Sequence, residues 1–188
     1  MRIVGIGGSA RDGSGTEELV RAVLGAVENT GVHRTRMFSG TALAAFPIYG
    51  HGSAPTREVK AFVECVRAAD AVVIGSPSYH GSVSGLVKNA IDHLEELRAD
   101  ARPYLDGRPV GLLSTARGQQ AAVNTLNVLR DITHALRGWP TPLGIAVDTS
   151  RTSVESYSAG PMKARVSQLA LQLSSFRVEP AAQPPPRH

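Results

Sequence analysis

The chain alternates between short apolar runs and longer stretches in which apolar residues recur every three or four positions. Short apolar runs are typical of strands buried on both faces of a parallel sheet. Four such runs are residues 2–6, 71–75, 108–114 and 143–147, and a weaker one with alternating polar positions is residues 32–38. The other spacing predicts amphipathic helices at residues 16–29, 56–69, 84–97, 119–136 and 161–176. This alternation predicts an α/β fold, with one parallel sheet between two layers of helices.

Three of the predicted helices carry a clear apolar face that should pack against the sheet. These faces are Val59, Phe62, Val63 and Val66 in the helix at 56–69, Val123, Leu126, Leu129 and Ile132 in that at 119–136, and Val166, Leu169, Leu173 and Phe176 in that at 161–176. Residues 39–55 show neither spacing and are predicted to be irregular. Residues 179–188 are rich in proline, which predicts a disordered tail and leaves residues 1–178 as one domain.

The composition is that of an ordinary globular domain, because 42% of the 188 residues are hydrophobic and 19% are charged. The net charge is +4, but Lys and Arg are scattered rather than clustered, so nucleic acid is not an expected partner. The basic balance instead favours attraction of anionic cofactors. No stretch reaches the roughly 18 apolar residues of a membrane span, and the N-terminal residues lack the apolar core of a signal peptide. We therefore expect a cytoplasmic protein without a membrane partner.

Cysteine and histidine usage favours neither disulfide nor metal chemistry. Cys65 is the single cysteine, so no intrachain disulfide or multi-cysteine metal site can form, and a reducing compartment fits. Its place on a predicted helix suggests a small, buried apolar residue. The six histidines show no H-E-x-x-H pattern and no close ligand pairing, so no metal site is expected.

Residues 7–16 follow the first predicted strand and form a loop, rich in glycine and hydroxyl groups, that opens a helix. In a doubly wound sheet, ligands bind at the carboxyl ends of the strands, where the strand order reverses. The free N–H groups at a helix N-terminus favour an anion there. Further donors to phosphate oxygens are available from Ser9, Arg11, Ser14 and Thr16. The alternative is an ordinary turn in which Ser14 caps the helix.

Two other nucleotide motifs fit this loop less well. Residues 5–10, Gly-Ile-Gly-Gly-Ser-Ala, match the G-x-G-x-x-A dinucleotide fingerprint, but the loop continues through Asp12 and Gly13 before helical sequence begins. The second strand also ends without the acidic residue that holds a ribose in dinucleotide folds. The Gly-Lys-Ser/Thr ending of a P-loop is absent. A mononucleotide site is the better interpretation.

Residues 75–82 form a second loop, directly after the third predicted strand, that suits a flat heteroaromatic ring. Pro77 stiffens this loop, Tyr79 offers an aromatic surface, and Gly81 permits unusual backbone angles. The alternative is that Tyr79 and His80 belong to a simple surface turn.

The helix predicted at residues 84–97 carries three polar residues near the second loop. Lys88 and Asp92 are spaced i, i+4, so a surface ion pair accounts for them. We expect Asn89 to brace the preceding loop. None of the three needs to touch reacting atoms.

Two segments together resemble the NADPH-dependent FMN reductase family. They are residues 8–16, Gly-Ser-Ala-Arg-Asp-Gly-Ser-Gly-Thr, and residues 76–92, Ser-Pro-Ser-Tyr-His-Gly-Ser-Val-Ser-Gly-Leu-Val-Lys-Asn-Ala-Ile-Asp. The resemblance extends to about residue 147. It implies a flavodoxin-like fold, a three-layer sandwich whose five-stranded parallel sheet has the order 2-1-3-4-5. It also implies FMN and NAD(P)H as cofactors and a homodimer or homotetramer.

The resemblance implies that three loops bind the cofactor. Their residues are Ser9, Arg11, Ser14, Gly15 and Thr16 at the phosphate, Pro77, Ser78, Tyr79, His80, Gly81 and Ser82 at the isoalloxazine, and Ser114, Thr115 and Gly118 in a third flavin loop. Thr16 stands where the family more often has Asn. Ser78 and His80 replace the commoner Glu and Asn.

The third loop, residues 114–120, departs furthest from the family because it has fewer glycines. Arg117, Gln119 and Gln120 are therefore expected to narrow or re-aim the pocket beside the flavin. Arg117 is a candidate to pair with an anionic substrate or with the phosphate of NADPH.

The resemblance implies an FMN-dependent oxidoreductase that transfers hydride from NAD(P)H through bound FMN to a flavin, a quinone or a similar small acceptor. The hydride chemistry belongs to the flavin, so no side-chain nucleophile is expected. Two alternatives stay open. One is a tailoring oxidoreductase that acts on a specific biosynthetic intermediate, and the other is a flavodoxin-like electron carrier.

Overall fold

Residues 1–11, 13–50 and 54–176 are described by a computed structural model of the chain, and seven strands lie within these ranges. The strands are β1 (Arg2–Gly7), β2 (Arg34–Phe38), β3 (Ala71–Tyr79), β4 (Ser82–Val83), β5 (Pro109–Ala116), β6 (Trp139–Pro140) and β7 (Ile145–Asp148). The α-helices are α1 (Gly15–Glu28), α2 (Gly40–Ala44), α3 (Arg57–Arg67), α4 (Gly85–Asp92), α5 (Gln119–Ala135) and α6 (Gly160–Ser175). Two 3₁₀ helices cover His93–Leu97 and Val154–Ser158.

The sheet is parallel in the order β2-β1-β3-β5, and both β6 and β7 pair with β5 at its other edge. This is the expected flavodoxin-like α/β arrangement. The prediction of five strands in the order 2-1-3-4-5 is wrong in detail, because the last position is shared by two short strands and β4 is added. Pro142 lies between β6 and β7, and a proline has no N–H to donate to a ladder.

The third strand is longer than predicted and ends in a hairpin. Ser76 and Pro77, predicted to lie in a loop, still pair with β5, so β3 continues to Tyr79. The chain then reverses through His80 and Gly81, whose φ angles are 51° and 81°, and pairs antiparallel as β4. Two consecutive positive φ angles are the geometry of a tight type I′ hairpin turn. The carboxyl end of β3 therefore carries a short hairpin rather than an open loop.

The five predicted helices are present, with ends shifted by a few residues. The segment predicted at 84–97 is α4 followed by the first 3₁₀ helix. The short helix α2 was not predicted; Ser39 caps it by accepting a hydrogen bond from the Ala42 N–H. The predicted tail, residues 179–188, lies outside the described residues, as does Asp12. No helix in the described ranges is both long enough and apolar enough to cross a membrane.

The strands pack their two faces against different helices. Val72 and Ile74 of β3 belong to a core with residues of α3, α4 and α5, whereas Val73 belongs to a core with residues of α1 and α6. This places the sheet between two helical layers, as predicted. The predicted apolar faces of α3 and α6 are buried, except for Phe176, which is half-buried. The ring centroids of Phe176 and Trp139 are 6.3 Å apart.

The predicted inward face of α5 is partly wrong. Val123 is 40% exposed, because the buried stripe runs instead through Ala122, Leu126 and Leu129, with Ile132 at its margin. The helix is therefore rotated about its axis relative to the prediction, and Val123 lines an open cleft at the surface.

A buried arginine closes the amino end of the sheet. Arg108, which precedes β5, is 1% exposed and donates to the carbonyls of Ala69 (2.9 Å), Arg67 (2.8 Å) and Tyr104. Burial lowers the pKa of Arg108 to about 10, so the guanidinium stays charged at neutral pH. Backbone acceptors thus compensate a charge that has left water.

Candidate cofactor site

A cleft of about 730 Å³ lies at the carboxyl ends of β1, β3, β5 and β7. This is the size range of small-molecule sites. Its lining consists of Ser9, Arg11, Ser14, Gly15, Thr16, Pro77, Ser78, Tyr79, His80, Gly81, Thr115, Ala116, Arg117, Ala121, Thr149, Thr152, Ser153, Val154 and Tyr157. Most of the predicted site residues are therefore brought together. Ser82, Ser114 and Gly118 lie outside this lining.

The first wall is the loop after β1 and the start of α1. Ser14 is the N-cap, and its hydroxyl accepts from the Glu17 N–H at 3.3 Å. Capping and cofactor binding are compatible here, because the N–H groups of Gly15 and Thr16 have no intrahelical acceptor. The Thr16 hydroxyl meets that of Thr115 at 2.5 Å, which joins this wall to the end of β5.

The first loop is held from behind by α4. Gly8 donates its N–H to the Gly75 carbonyl at 3.0 Å, and its own carbonyl accepts from the Ser84 hydroxyl at 3.1 Å. Ser84 also caps α4 by accepting from the Val87 N–H at 3.2 Å. One serine, which sequence reasoning missed, therefore fixes the first loop and the start of α4 together.

The second wall is the β3–β4 hairpin, and α5 supports it. Thr125 donates to the Ser78 hydroxyl at 2.8 Å, and Asn124 donates to the Gly81 carbonyl at 2.7 Å. Tyr79 is 51% exposed at the hairpin and lines the cleft. Ser82 points to solvent beyond the turn. The hairpin position is thus set by side chains of a helix distant in sequence.

The third wall is the end of β5. Thr115 and Arg117 line the cleft, but Ser114 is fully buried and donates to the Ala122 carbonyl at the start of α5. The Gly118 N–H donates to a carboxylate oxygen of Asp148 at 3.0 Å. Ser114 and Gly118 therefore position this wall instead of forming its surface.

Asp148, at the end of β7, ties the third wall to the segment that follows it. Its carboxylate also accepts from the hydroxyl and the N–H of Ser150. These hydrogen bonds from Ser150, and that from Gly118, hold the pKa of Asp148 below its usual value. Asp148 is therefore ionised at neutral pH and orients both chain segments.

A fourth wall follows β7 and was not predicted. It comprises Thr149, Thr152, Ser153, Val154 and Tyr157. The hydroxyl-rich run at residues 149–153, directly after a predicted strand, is the sequence signal that could have found it. Tyr157 itself carries no such signal.

The charge of the lining favours an anion. Among the described lining residues there is no Asp or Glu, whereas Arg11 and Arg117 lie exposed at the rim. A second open cleft of about 790 Å³ adjoins the first and is lined by Gly81, Arg117, Gly118, Gln120, Ala121, Val123, Asn124 and Asn127. Arg117 belongs to both clefts.

The other residues for which we made a prediction from the sequence do not line the cleft. The exposed ion pair between Lys88 and Asp92 is confirmed at 2.6 Å. Asn89 does not brace the hairpin, because its amide donates to the Pro47 carbonyl and accepts from the Tyr49 N–H. Cys65, expected to be buried, is only partly so and packs at the margin of the core.

Sequence comparison adds a family and several relatives. The family model for NADPH-dependent FMN reductase matches residues 1–152. An FMN-dependent NADPH-azoreductase of Staphylococcus haemolyticus (strain JCSC1435) is 40% identical over 92 residues, which is 49% of this chain and 45% of the relative. One from Staphylococcus aureus (strain USA300) is 37% identical over 94 residues, 50% and 46% of the two chains. The matches thus span about half the length of these curated relatives.

Solved structures give the same fold. An apo NADH:FMN oxidoreductase has a TM-score of 0.69 at 22% identity, with 93% of this chain and 91% of that one covered. A flavoenzyme NAD(P)H:(acceptor) oxidoreductase from Paracoccus denitrificans has a TM-score of 0.68 at 21% identity, with 90% and 91% covered. At such identities the likeness concerns the fold, and the family rests on the sequence match over residues 1–152. The resemblance found in the sequence is confirmed, and the chain belongs to the NADPH-dependent FMN reductase family.

Proposed function

We propose that the protein binds FMN non-covalently in the cleft at the carboxyl ends of the strands and acts as an NAD(P)H-dependent oxidoreductase toward a small acceptor. The observation that carries this proposal is the cleft itself. It combines a helix N-terminus, several hydroxyl groups and two rim arginines with no carboxylate among its described lining residues. Family membership supports the same function.

The phosphate end of FMN fits the first wall. The N-terminus of α1 offers free N–H groups and the positive end of the helix dipole. Ser9 is 4% exposed, and Arg11 stands at the rim. The hydroxyl of Tyr157 is buried and has no hydrogen-bond partner among the described residues. A bound monophosphate would supply the acceptor that these donors lack.

The ring end of FMN fits the hairpin and the end of β5. Residues 77–81 line the cleft together with Thr115 and Arg117, and Thr115 lies beside Pro77 in the neighbouring strand. The hairpin is stiff because β5 pairs with its base and α5 holds its tip. A stiff support costs little ordering entropy when a flat ring binds.

The bound FMN would supply the redox chemistry, taking reducing equivalents from NAD(P)H and passing them to the acceptor. The protein's part is to bind the cofactor and orient it. The cleft adjoins the second one at Arg117, which leaves an open approach for a nicotinamide or an acceptor. Arg117 would pair with an anionic group on either molecule.

The names of the relatives support a class of acceptor. The staphylococcal relatives are named azoreductases, and one solved neighbour is named a putative quinone reductase. We propose planar aromatic acceptors such as azo compounds and quinones for this chain. We also propose a cytoplasmic homodimer or homotetramer, in which the exposed Val123 of α5 is a candidate contact residue.

A tailoring oxidoreductase is the second candidate. It is favoured by the polar lining of the second cleft, where Arg117, Gln120, Asn124 and Asn127 offer specific contacts to one organic substrate. Rapid turnover with several unrelated quinones or azo compounds would argue against this candidate.

Absorbance spectroscopy of the purified protein with added FMN tests the main proposal. We expect a flavin spectrum that stays with the protein through gel filtration and bleaches on anaerobic addition of NADPH or NADH. Replacing Arg11 with Ala should weaken FMN binding by about tenfold, the loss of one charge-assisted contact. Arg98→Ala, at a side chain 71% exposed and remote from the cleft, is the matched control. A protein that stays colourless with FMN overturns the proposal.

A further inference from the structure

Tyr157 stands outside the part of the chain that the family model covers. It lies on the 3₁₀ helix Val154–Ser158, whereas the family match ends at residue 152. Its ring is 2% exposed and belongs to the apolar core that includes residues of α1 and α6. The ring is therefore fixed by the fold, and only its hydroxyl needs a separate explanation.

The Tyr157 hydroxyl is buried, yet it has no hydrogen-bond partner among the described residues. A buried hydroxyl without a partner costs free energy, because it has lost its hydrogen bonds to water. Such orphans are rare in native proteins and call for a missing acceptor or donor. Tyr157 is among the residues that line the cleft, so the missing partner is to be sought there.

The hydroxyl lies at the first turn of α1. A Cβ atom built on Gly15, the first residue of α1, would be 3.2 Å from the Tyr157 hydroxyl oxygen. The hydroxyl is therefore close to the first turn of α1, whose N–H groups have no intrahelical acceptor. A side chain at residue 15 would crowd this hydroxyl, and glycine avoids that contact.

We propose that the Tyr157 hydroxyl donates a hydrogen bond to the phosphate of bound FMN, and that this residue helps the protein distinguish FMN from riboflavin. The proposal rests on the proposed binding of FMN in the cleft. Burial raises the pKa of Tyr157, which keeps its proton in place for donation at neutral pH. A donor to a phosphate oxygen makes a charge-assisted hydrogen bond, stronger than one between neutral groups.

The substitution Tyr157→Phe tests the contact, because it removes the hydroxyl and keeps the ring in the core. Dissociation constants for FMN and riboflavin are measured by flavin fluorescence quenching. We expect the variant to bind FMN about ten- to hundredfold more weakly, as for a hydrogen bond to a charged group. Riboflavin binding should change by less than about twofold, since it lacks the phosphate. Tyr104→Phe, whose hydroxyl contacts Glu95 instead, is the control.

The outcomes separate this proposal from the function on which it rests. Equal losses for FMN and riboflavin, or no loss for either, would mean that the hydroxyl meets water or another part of the ligand, and would overturn the contact. If the unsubstituted protein fails to bind FMN at all, the proposed function is wrong as well.

A second measurement uses the unsubstituted protein, so it does not depend on how the variant folds. The chain has four tyrosines, and labelling their ζ carbons with ¹³C gives a simple NMR spectrum. FMN, and inorganic phosphate alone, should shift the Tyr157 resonance, whereas riboflavin should leave it in place. A Tyr157 signal that responds equally to FMN and riboflavin overturns the proposal.

Discussion

Gly40 is in close contact with the first loop of the cleft, and only glycine fits there. A Cβ atom at Gly40 would overlap the carbonyl oxygen of Ser9. The Gly40 N–H donates to the buried Glu17 carboxylate at 3.4 Å, so the start of α2 is also tied to α1. Close packing at a single residue thus determines where the Ser9 backbone lies relative to the helix N-terminus.

Replacing Gly40 with Ala should displace the Ser9 backbone and weaken FMN binding by roughly tenfold, with a loss of about 1–3 kcal/mol in stability from overpacking. FMN titration and urea unfolding measure the two effects. Gly25→Ala in the interior of α1 is the control, because a Cβ there meets nothing within 4 Å. It should raise the free energy of unfolding by about 0.5–1 kcal/mol. Unchanged FMN affinity in Gly40→Ala would show that the Ser9 loop adjusts freely.

At the scale of elements, the cleft depends on neighbouring elements that hold strand ends in place. The β3–β4 hairpin is anchored by Thr125 and Asn124 of α5, and the end of β5 by Asp148 of β7. None of these three side chains lines the cleft that we propose for FMN. At the cleft proposed for FMN, positioning and lining are therefore carried by different residues, and substitutions can separate the two roles.

Asn124→Ala should release the hairpin tip, because the hydrogen bond to the Gly81 carbonyl is lost. We expect FMN and riboflavin to bind about three- to tenfold more weakly, by similar factors, since the hairpin faces the ring that both ligands share. Fluorescence titration of both flavins is the measurement. Asn127→Ala serves as the control on the same helix, because Asn127 accepts from Arg130 instead. A loss confined to FMN would contradict the assignment of the hairpin to the ring.

Asp148→Asn should remove the part of the pH dependence of the unfolding free energy that this carboxylate confers. Its hydrogen bonds from Ser150 and Gly118 lower the pKa in the folded protein, so its stabilising contribution is present at neutral pH. That contribution is lost as the pH falls below about 4 and through the lowered pKa, because the unfolded chain then binds the proton more readily. Urea unfolding of both proteins from neutral to acid pH should show a difference that shrinks on acidification. A difference independent of pH would indicate a purely steric role.

At the scale of the whole molecule, the sequence predicts the layers of the sandwich better than the structure at the ends of the strands. Apolar runs reveal buried parallel strands and spaced apolar residues reveal helices, so the sandwich was predicted, and residues of the first two predicted loops line the cleft. The hairpin was missed because Ser76 and Pro77 are typical turn residues, and only the neighbouring β5 keeps them in a strand. Tyr157 was missed because its place at the cleft results from the packing of α6 on α1, a tertiary contact that local sequence does not encode.

Arg108 lies at the amino end of the sheet, opposite the carboxyl end at which we propose that FMN binds, and this separation gives a last prediction. Arg108→Ala would leave three backbone carbonyls without their donor and open a cavity at the start of β5. We expect a loss of about 3 kcal/mol or more in the free energy of unfolding. The protein that remains folded should bind FMN with unchanged affinity, because Arg108 and the cleft lie at opposite ends of β5. Urea unfolding measures the stability, and FMN titration at urea concentrations below the unfolding transition measures the affinity. Arg98→Ala is an exposed control, expected to change stability by no more than about 0.5 kcal/mol. A matched loss of FMN affinity would mean that the two edges are coupled through the sheet.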